Sequence, residues 1–92
     1  MDILKLIKKV RVKNALGLHT RPATAIVKLL QNSKSDVMFT HKKSTINAKS
    51  ILSILMLAAR KNSLITITVE GDDAESTLEK LSKAFDKEFE DT

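Results

Sequence analysis

From Leu64 to Glu70 the chain alternates without a break: Ile65, Ile67 and Val69 fall on one side of an extended backbone, Thr66, Thr68 and Glu70 on the other. A strand patterned this way has one face for a core and one for water. It predicts an antiparallel sheet covered on a single side, because strands of a parallel sheet are buried on both faces and read as continuous apolar runs. Gly71 ends the strand, and Asp72 or Asp73 stands where a cap for the next helix is needed. In that helix Leu78, Leu81 and Phe85 make an apolar stripe while Lys80, Lys83 and the acids stay wet.

Upstream, Lys8 to Lys13 alternates with Val10 and Val12 on one side, and Asn14 to Gly17 supplies turn chemistry, so a first strand is expected to end near residue 13. Ala23, Ile26, Val27 and Leu30 then recur at helical spacing, with Pro22 tolerable only in a first turn, which predicts a helix over 20–30. Val37 to Lys42 and Ser44 to Asn47 read as a hairpin around Lys42 and Lys43. Ser50 to Ala59 is apolar nearly all round, with Ile51, Leu52, Ile54, Leu55, Met56 and Leu57 covering every side of a short helix, so some of these must stay exposed. The order is βαββαβα. It predicts an α+β open-faced sandwich, an antiparallel sheet with helices on one face, formed by a single domain over residues 1–92.

A chain of 92 residues without cysteine has neither disulfides nor thiolate metal sites and must rest on a modest packed core, burying about 60 to 65% of the surface of its unfolded form. Its apolar residues never approach the roughly 20 consecutive positions of a membrane span, and Met1 to Val12 is too densely charged for a signal peptide. A cytoplasmic, monomeric protein is expected. The net charge of +5 conceals a division: residues 1–69 hold 13 Lys or Arg and 2 acids, whereas 70–92 hold 3 Lys and 9 acids, giving +11 and −6. The basic part should attract an anionic partner, either nucleic acid or an acidic protein surface. Aromatic platforms for single strands are lacking, since Phe39, Phe85 and Phe89 are the only aromatics and two of them lie in the acidic part.

The segment that bears on chemistry is Asn14-Ala15-Leu16-Gly17-Leu18-His19-Thr20-Arg21-Pro22-Ala23. It puts His19 at the entry to a helix, where unpaired backbone N–H groups and the helix dipole favour an anion. The same field disfavours imidazolium, leaving a ring nitrogen free to act as a nucleophile. Transfer of a phosphoryl group to it needs little beyond positioning and positive charge around the equatorial oxygens, and Arg21 is two residues away. On these grounds alone, a helix-capping histidine is the commoner case.

The run Gly17-Leu18-His19-Thr20-Arg21-Pro22-Ala23 resembles the active-site signature of the HPr-type histidine phosphocarriers of the bacterial phosphotransferase system, and Asn47-Ala48-Lys49-Ser50-Ile51-Leu52 resembles that family's regulatory-serine motif at the expected separation. The resemblance covers nearly the whole chain. It implies a sheet in the order 1-4-2-3 under three helices, and a phosphoryl group carried on Nδ1 of His19. That group would come from enzyme I and pass to an enzyme IIA protein or domain, with Arg21 as the arginine partner and without cofactor or metal. It further implies regulatory phosphorylation at Ser50 by a serine kinase, and a docking surface that includes Leu52 and Leu55. Such a protein is a carried substrate more than a turnover enzyme. Leu16 departs from the Ser or Asn that sugar-pathway members often carry before the glycine and matches the nitrogen-related branch, NPr, as does Leu55-Met56-Leu57. Lys49-Ser50 looks more like HPr itself. Ala58 stands where many members have glycine.

Other candidates are weaker. His41 is 22 residues from His19, with no ligand spacing that suggests a metal, and reads as a strand-end residue. No nucleophile elbow supports a Ser-His-Asp hydrolase. By itself Ser50 is a helix-start serine, and the Lys8, Lys9, Arg11, Lys13 run is the wet side of a strand. The rival from another class is a basic α+β module that binds nucleic acid. Salt-sensitive binding indifferent to His19→Ala would mark it.

Overall fold

The computed structural model describes residues 4–90; the first three residues of the charged opening segment and the last two lie outside this range. Seven elements follow one another: β1 (Lys5–Arg11), α1 (Thr20–Leu30), β2 (Asp36–His41), β3 (Ser44–Asn47), α2 (Ile51–Leu57), β4 (Leu64–Glu70) and α3 (Ala74–Asp86). The four strands form one antiparallel sheet in the order β1-β4-β2-β3. This is the expected βαββαβα sandwich.

Strand β4 is central. Its Ile65, Ile67 and Val69 are fully buried beside Val37 and Phe39 of β2, with Ile26 and Leu30 of α1, Ile54 of α2 and Leu81 and Phe85 of α3 completing the core. Each such side chain contributes about 1.5 to 3 kcal/mol by leaving water. Phe85 meets Phe39 and Phe89 edge-to-face, at ring-centroid distances of 5.9 and 5.0 Å, so the end of the acidic segment is tied into the core by aromatic contact. On the uncovered face, Ile7 of β1 is 63% exposed.

Local differences from the sequence reading have tertiary causes. β1 begins at Lys5, before the predicted start at Lys8, and ends at Arg11, because Val12 pairs its backbone with the loop before β4: Val12 N–H donates to Ser63 O (2.9 Å) and Val12 O accepts from Asn62 N–H (2.7 Å). β2 stops at His41, since Lys42 takes up a left-handed turn conformation (φ 56°). α2 is shorter than Ser50 to Ala59. Ser50 is its cap, accepting from Ser53 N–H at 3.2 Å, and Ala58 closes it in the left-handed region (φ 54°), where a residue with a Cβ costs about 1 kcal/mol and glycine costs nothing. Around α2, Ile54 and Leu57 are buried, Ile51, Leu52 and Met56 are exposed, and Leu55 is half-buried against the core.

Asp73 does occupy the cap position of α3, but its carboxylate turns away from the helix. It accepts instead from the Ser35 hydroxyl, from Lys34 N–H (2.8 Å) and from the Ser33 hydroxyl (3.3 Å), clasping the α1–β2 turn to the start of α3. These bonds, that of Ser35 foremost, hold the Asp73 carboxyl at about 2, below its ordinary 3.8, against the opposing effect of burial. A folded-state value lower than the unfolded one means that the clasp stabilises the protein fully above the unfolded value and is lost as pH falls through the folded one. Denaturant unfolding followed between about pH 7 and pH 2 should therefore show stability falling below about pH 4. Asp73→Asn should be less stable at neutral pH and show a flatter decline in acid.

Candidate functional site

The β1–α1 connection is built to hold His19 at the mouth of α1. Asn14 O accepts from Gly17 N–H at 3.0 Å to close a tight turn, and Leu18 N–H donates to Ala59 O at 2.9 Å. Gly17 has φ 69°, and a Cβ there would lie 2.3 Å from Ala59 O and 2.9 Å from Arg60 Cα. Only glycine lets the loop run against the α2–β4 connection. Leu18 is 3% exposed and anchors the loop in the core, so that the next residue emerges at the surface.

His19 is the half-buried N-cap of α1, in extended conformation (φ −83°, ψ −168°), and its side chain makes no capping hydrogen bond. Its carbonyl accepts from Ala23 N–H at 3.0 Å. Thr20 and Arg21 N–H come too early in the helix to find an intrahelical acceptor, and Pro22 has no N–H to satisfy. No acidic residue sits in the first turn. The imidazole therefore lies where partial positive charge is uncancelled. Arg21 is exposed and has no hydrogen-bond or ion-pair partner among the described residues, leaving its guanidinium available to an incoming anion.

His19 and Arg21 line a cleft of about 390 Å³ together with Leu16, Pro22 and residues 88–90. Leu16 is 77% exposed at its lip. The part played by Glu88, Phe89 and Glu90 was not legible in the sequence, where they read only as an acidic end: Glu88 and Phe89 both adopt left-handed backbone (φ 54° and 59°), which turns the chain across the cleft, and Glu88 O accepts from Asn14 Nδ2 at 2.8 Å. The acceptor oxygen of that amide, Asn14 Oδ1, is buried without a partner among the described residues. Ser50 and Leu52 sit apart from the cleft, at the start of α2. Leu55, expected on the exposed side with Leu52, is half-buried; Met56 takes that place at 74% exposure, because one turn of α2 further on the chain faces solvent again. His41 lies in the β2–β3 hairpin, and the described residues contain no group of three or more His, Cys, Asp or Glu fit to hold a metal.

A family profile described as "PTS HPr component phosphorylation site" matches residues 6–87. The chain belongs to the HPr family. It is 47% identical over 78 residues to the phosphocarrier protein HPr of Chlamydia pneumoniae, covering 85% of this chain and 72% of that one. With the HPr of Treponema pallidum the identity is 35% over 86 residues, covering 94% and 98%. The crystal structure of an HPr from Bacillus anthracis superposes with a TM-score of 0.83 at 40% identity, over 88% of this chain and 96% of the other. The HPr fold thus accounts for the strand order and for the helical cover. No helix among its described residues is long and apolar enough to cross a membrane.

Gly17 provides a direct test of how the loop is held. Gly17→Ala meets both a left-handed backbone and a backbone oxygen at 2.3 Å. It should cost about 2 kcal/mol or more, lowering Tm by about 10 °C in a chain of this size. Thermal melts by circular dichroism check this, and a Tm within about 2 °C of the parent would show that the loop does not need the close approach.

Proposed function

We propose that His19 accepts a phosphoryl group from enzyme I on Nδ1 and passes it to an enzyme IIA protein or domain, with Arg21 bonding the phosphoryl oxygens. The observation that carries this reading is the unpartnered Arg21 beside a histidine at an uncancelled helix N-terminus. A nitrogen lone pair of neutral His19 attacks phosphorus, the P–N bond forms as the bond to the donor breaks, and the acceptor repeats the displacement from the other side. Thr20 and Arg21 N–H and the guanidinium meet the charge on the equatorial oxygens, and Arg21 does so as a planar fork that lysine cannot reproduce.

Incubation with enzyme I and phosphoenolpyruvate should add one phosphoryl group that is labile in acid and stable in base. His19→Ala should abolish it while melting like the parent. Arg21→Lys should slow transfer about tenfold or more with little effect on Tm, as expected when paired, charge-assisted hydrogen bonds are replaced by a point charge. Labelling that survives in a folded His19→Ala protein would place the phosphate elsewhere.

The same reading assigns partner docking to the exposed side of α2, with Leu52 (68% exposed) and Met56 as the apolar contacts and Leu55 supporting them from below. Ser50 borders this patch. Its hydroxyl caps α2, and a phosphate there would put about −1.5 to −2 charges beside the apolar contact, so phosphorylation by a serine kinase would act on docking rather than on the fold. The initial rate of His19 phosphorylation should therefore be lower for Ser50→Asp than for Ser50→Ala, with similar thermal melts. Equal rates at low and moderate salt would leave Ser50 a helix cap and nothing more.

A further inference from the structure

A second concavity, of about 940 Å³, shares no lining residue with the His19 cleft. It lies where β1, the β2–β3 turn and the connection from α2 to β4 meet. Three separate elements send cations to it: Lys9 from β1, Lys42 from the turn, and Arg60 and Lys61 from the connection. No acidic residue lines it, and among the described residues none of these four cations has a carboxylate within ion-pair distance. Like charges brought together without a counter-charge repel one another, an arrangement that an anion relieves. Neutral donors stand among them, since the Ser44 and Thr66 hydroxyls have no hydrogen-bond partner among the described residues.

The lining also discriminates among anions. A protein partner needs apolar or aromatic anchors at the centre of its contact. Here Leu64, at 43%, is the one large apolar side chain appreciably exposed, beside the small Ala58, whereas the larger exposed apolar side chains of the helices, Leu52 and Met56, are on α2 outside the cleft. A single-stranded nucleic acid needs a row of rings to stack on, and no Phe, Tyr or Trp lines the cleft, only the lone imidazole of His41. What remains is charge and hydroxyl donors around a space in the size range of small-molecule sites. We propose that this cleft binds a small polyanion bearing two or more phosphoryl groups. The connection that supplies Arg60 and Lys61 is the one against which Gly17 and Leu18 pack, so the ligand would bind on the support of the His19 loop without touching the loop itself.

The experiment is titration of the full chain with inorganic tripolyphosphate, followed by calorimetry and by backbone amide shifts, with His19 unphosphorylated. Saturable one-to-one binding is expected, with the largest shifts at residues 40–44 and 58–64. Lys42→Gln and Lys61→Gln should each weaken binding about fivefold, from the loss of roughly one surface-range charge interaction. Lys80→Gln, on α3, should change nothing, and all three variants should melt like the parent. A tenfold rise in ionic strength should weaken binding by about tenfold or more. Several results would overturn the proposal: shifts confined to residues 14–22, which would mean that the anion enters the His19 cleft; orthophosphate binding as tightly as tripolyphosphate; absence of saturation; or tighter binding, at matched charge, of oligoglutamate or of oligo(dT), which would make the occupant an acidic protein segment or a nucleic acid.

Discussion

Strand β4 has apolar side chains on one face and hydroxyls on the other, and it lies between β1 and β2, so every other element must accommodate a sheet that can be covered on one side only. The three helices consequently crowd onto that side, and Ile26, Ile54 and Leu81, one from each, are completely buried there. Helices so packed must be joined to the strands by short connections at the sheet's ends. The β1–α1 and α2–β4 connections meet in this way, with Gly17 and Leu18 against Ala59 and Arg60. The placement of His19 follows from this contact: Leu18 is drawn into the core, and the next residue emerges at the helix mouth.

Electrostatics at that mouth is a matter of what has been kept away. α1 carries no acid in its first turn, where one would normally complement the dipole, and Arg21 is left without a carboxylate partner among the described residues. The backbone N–H groups of the helix start are already oriented toward an anion, and the unpartnered Arg21 guanidinium breaks no ion pair to join them. Asp73 shows the opposite arrangement at the start of α3, a carboxylate satisfied by three donors from the α1–β2 turn and therefore spent on holding two loops together. The two helix starts differ in function because one leaves its polar groups free and the other uses them within the fold.

Much of this was legible in the order of the residues. Strict alternation identified Leu64 to Glu70 as a strand, and helical spacing together with Pro22 bounded α1 at Thr20 and Leu30, because both periodicities are local properties of the backbone. The run from Gly17 to Ala23 and its partner motif around Ser50 pointed to a histidine phosphocarrier, and the likeness to HPr proteins along most of the chain agrees. Four features were decided by tertiary structure alone. The carboxylate of Asp73 reached for Ser33, Lys34 and Ser35, about forty positions away, in place of its own helix. Leu55, expected on the exposed side with Leu52, is half-buried, and Met56 is exposed instead, since an all-round apolar helix does not say which side meets the sheet. Residues 88–90 closed one side of the His19 cleft through left-handed backbone that no residue type there announces. The cations of the second cleft came from positions 9, 42, 60 and 61, which only the strand order 1-4-2-3 brings together. Periodicity reports which side of an element is apolar within a few residues; which distant groups meet across elements depends on how those sides are packed, and that was settled only when the chain folded.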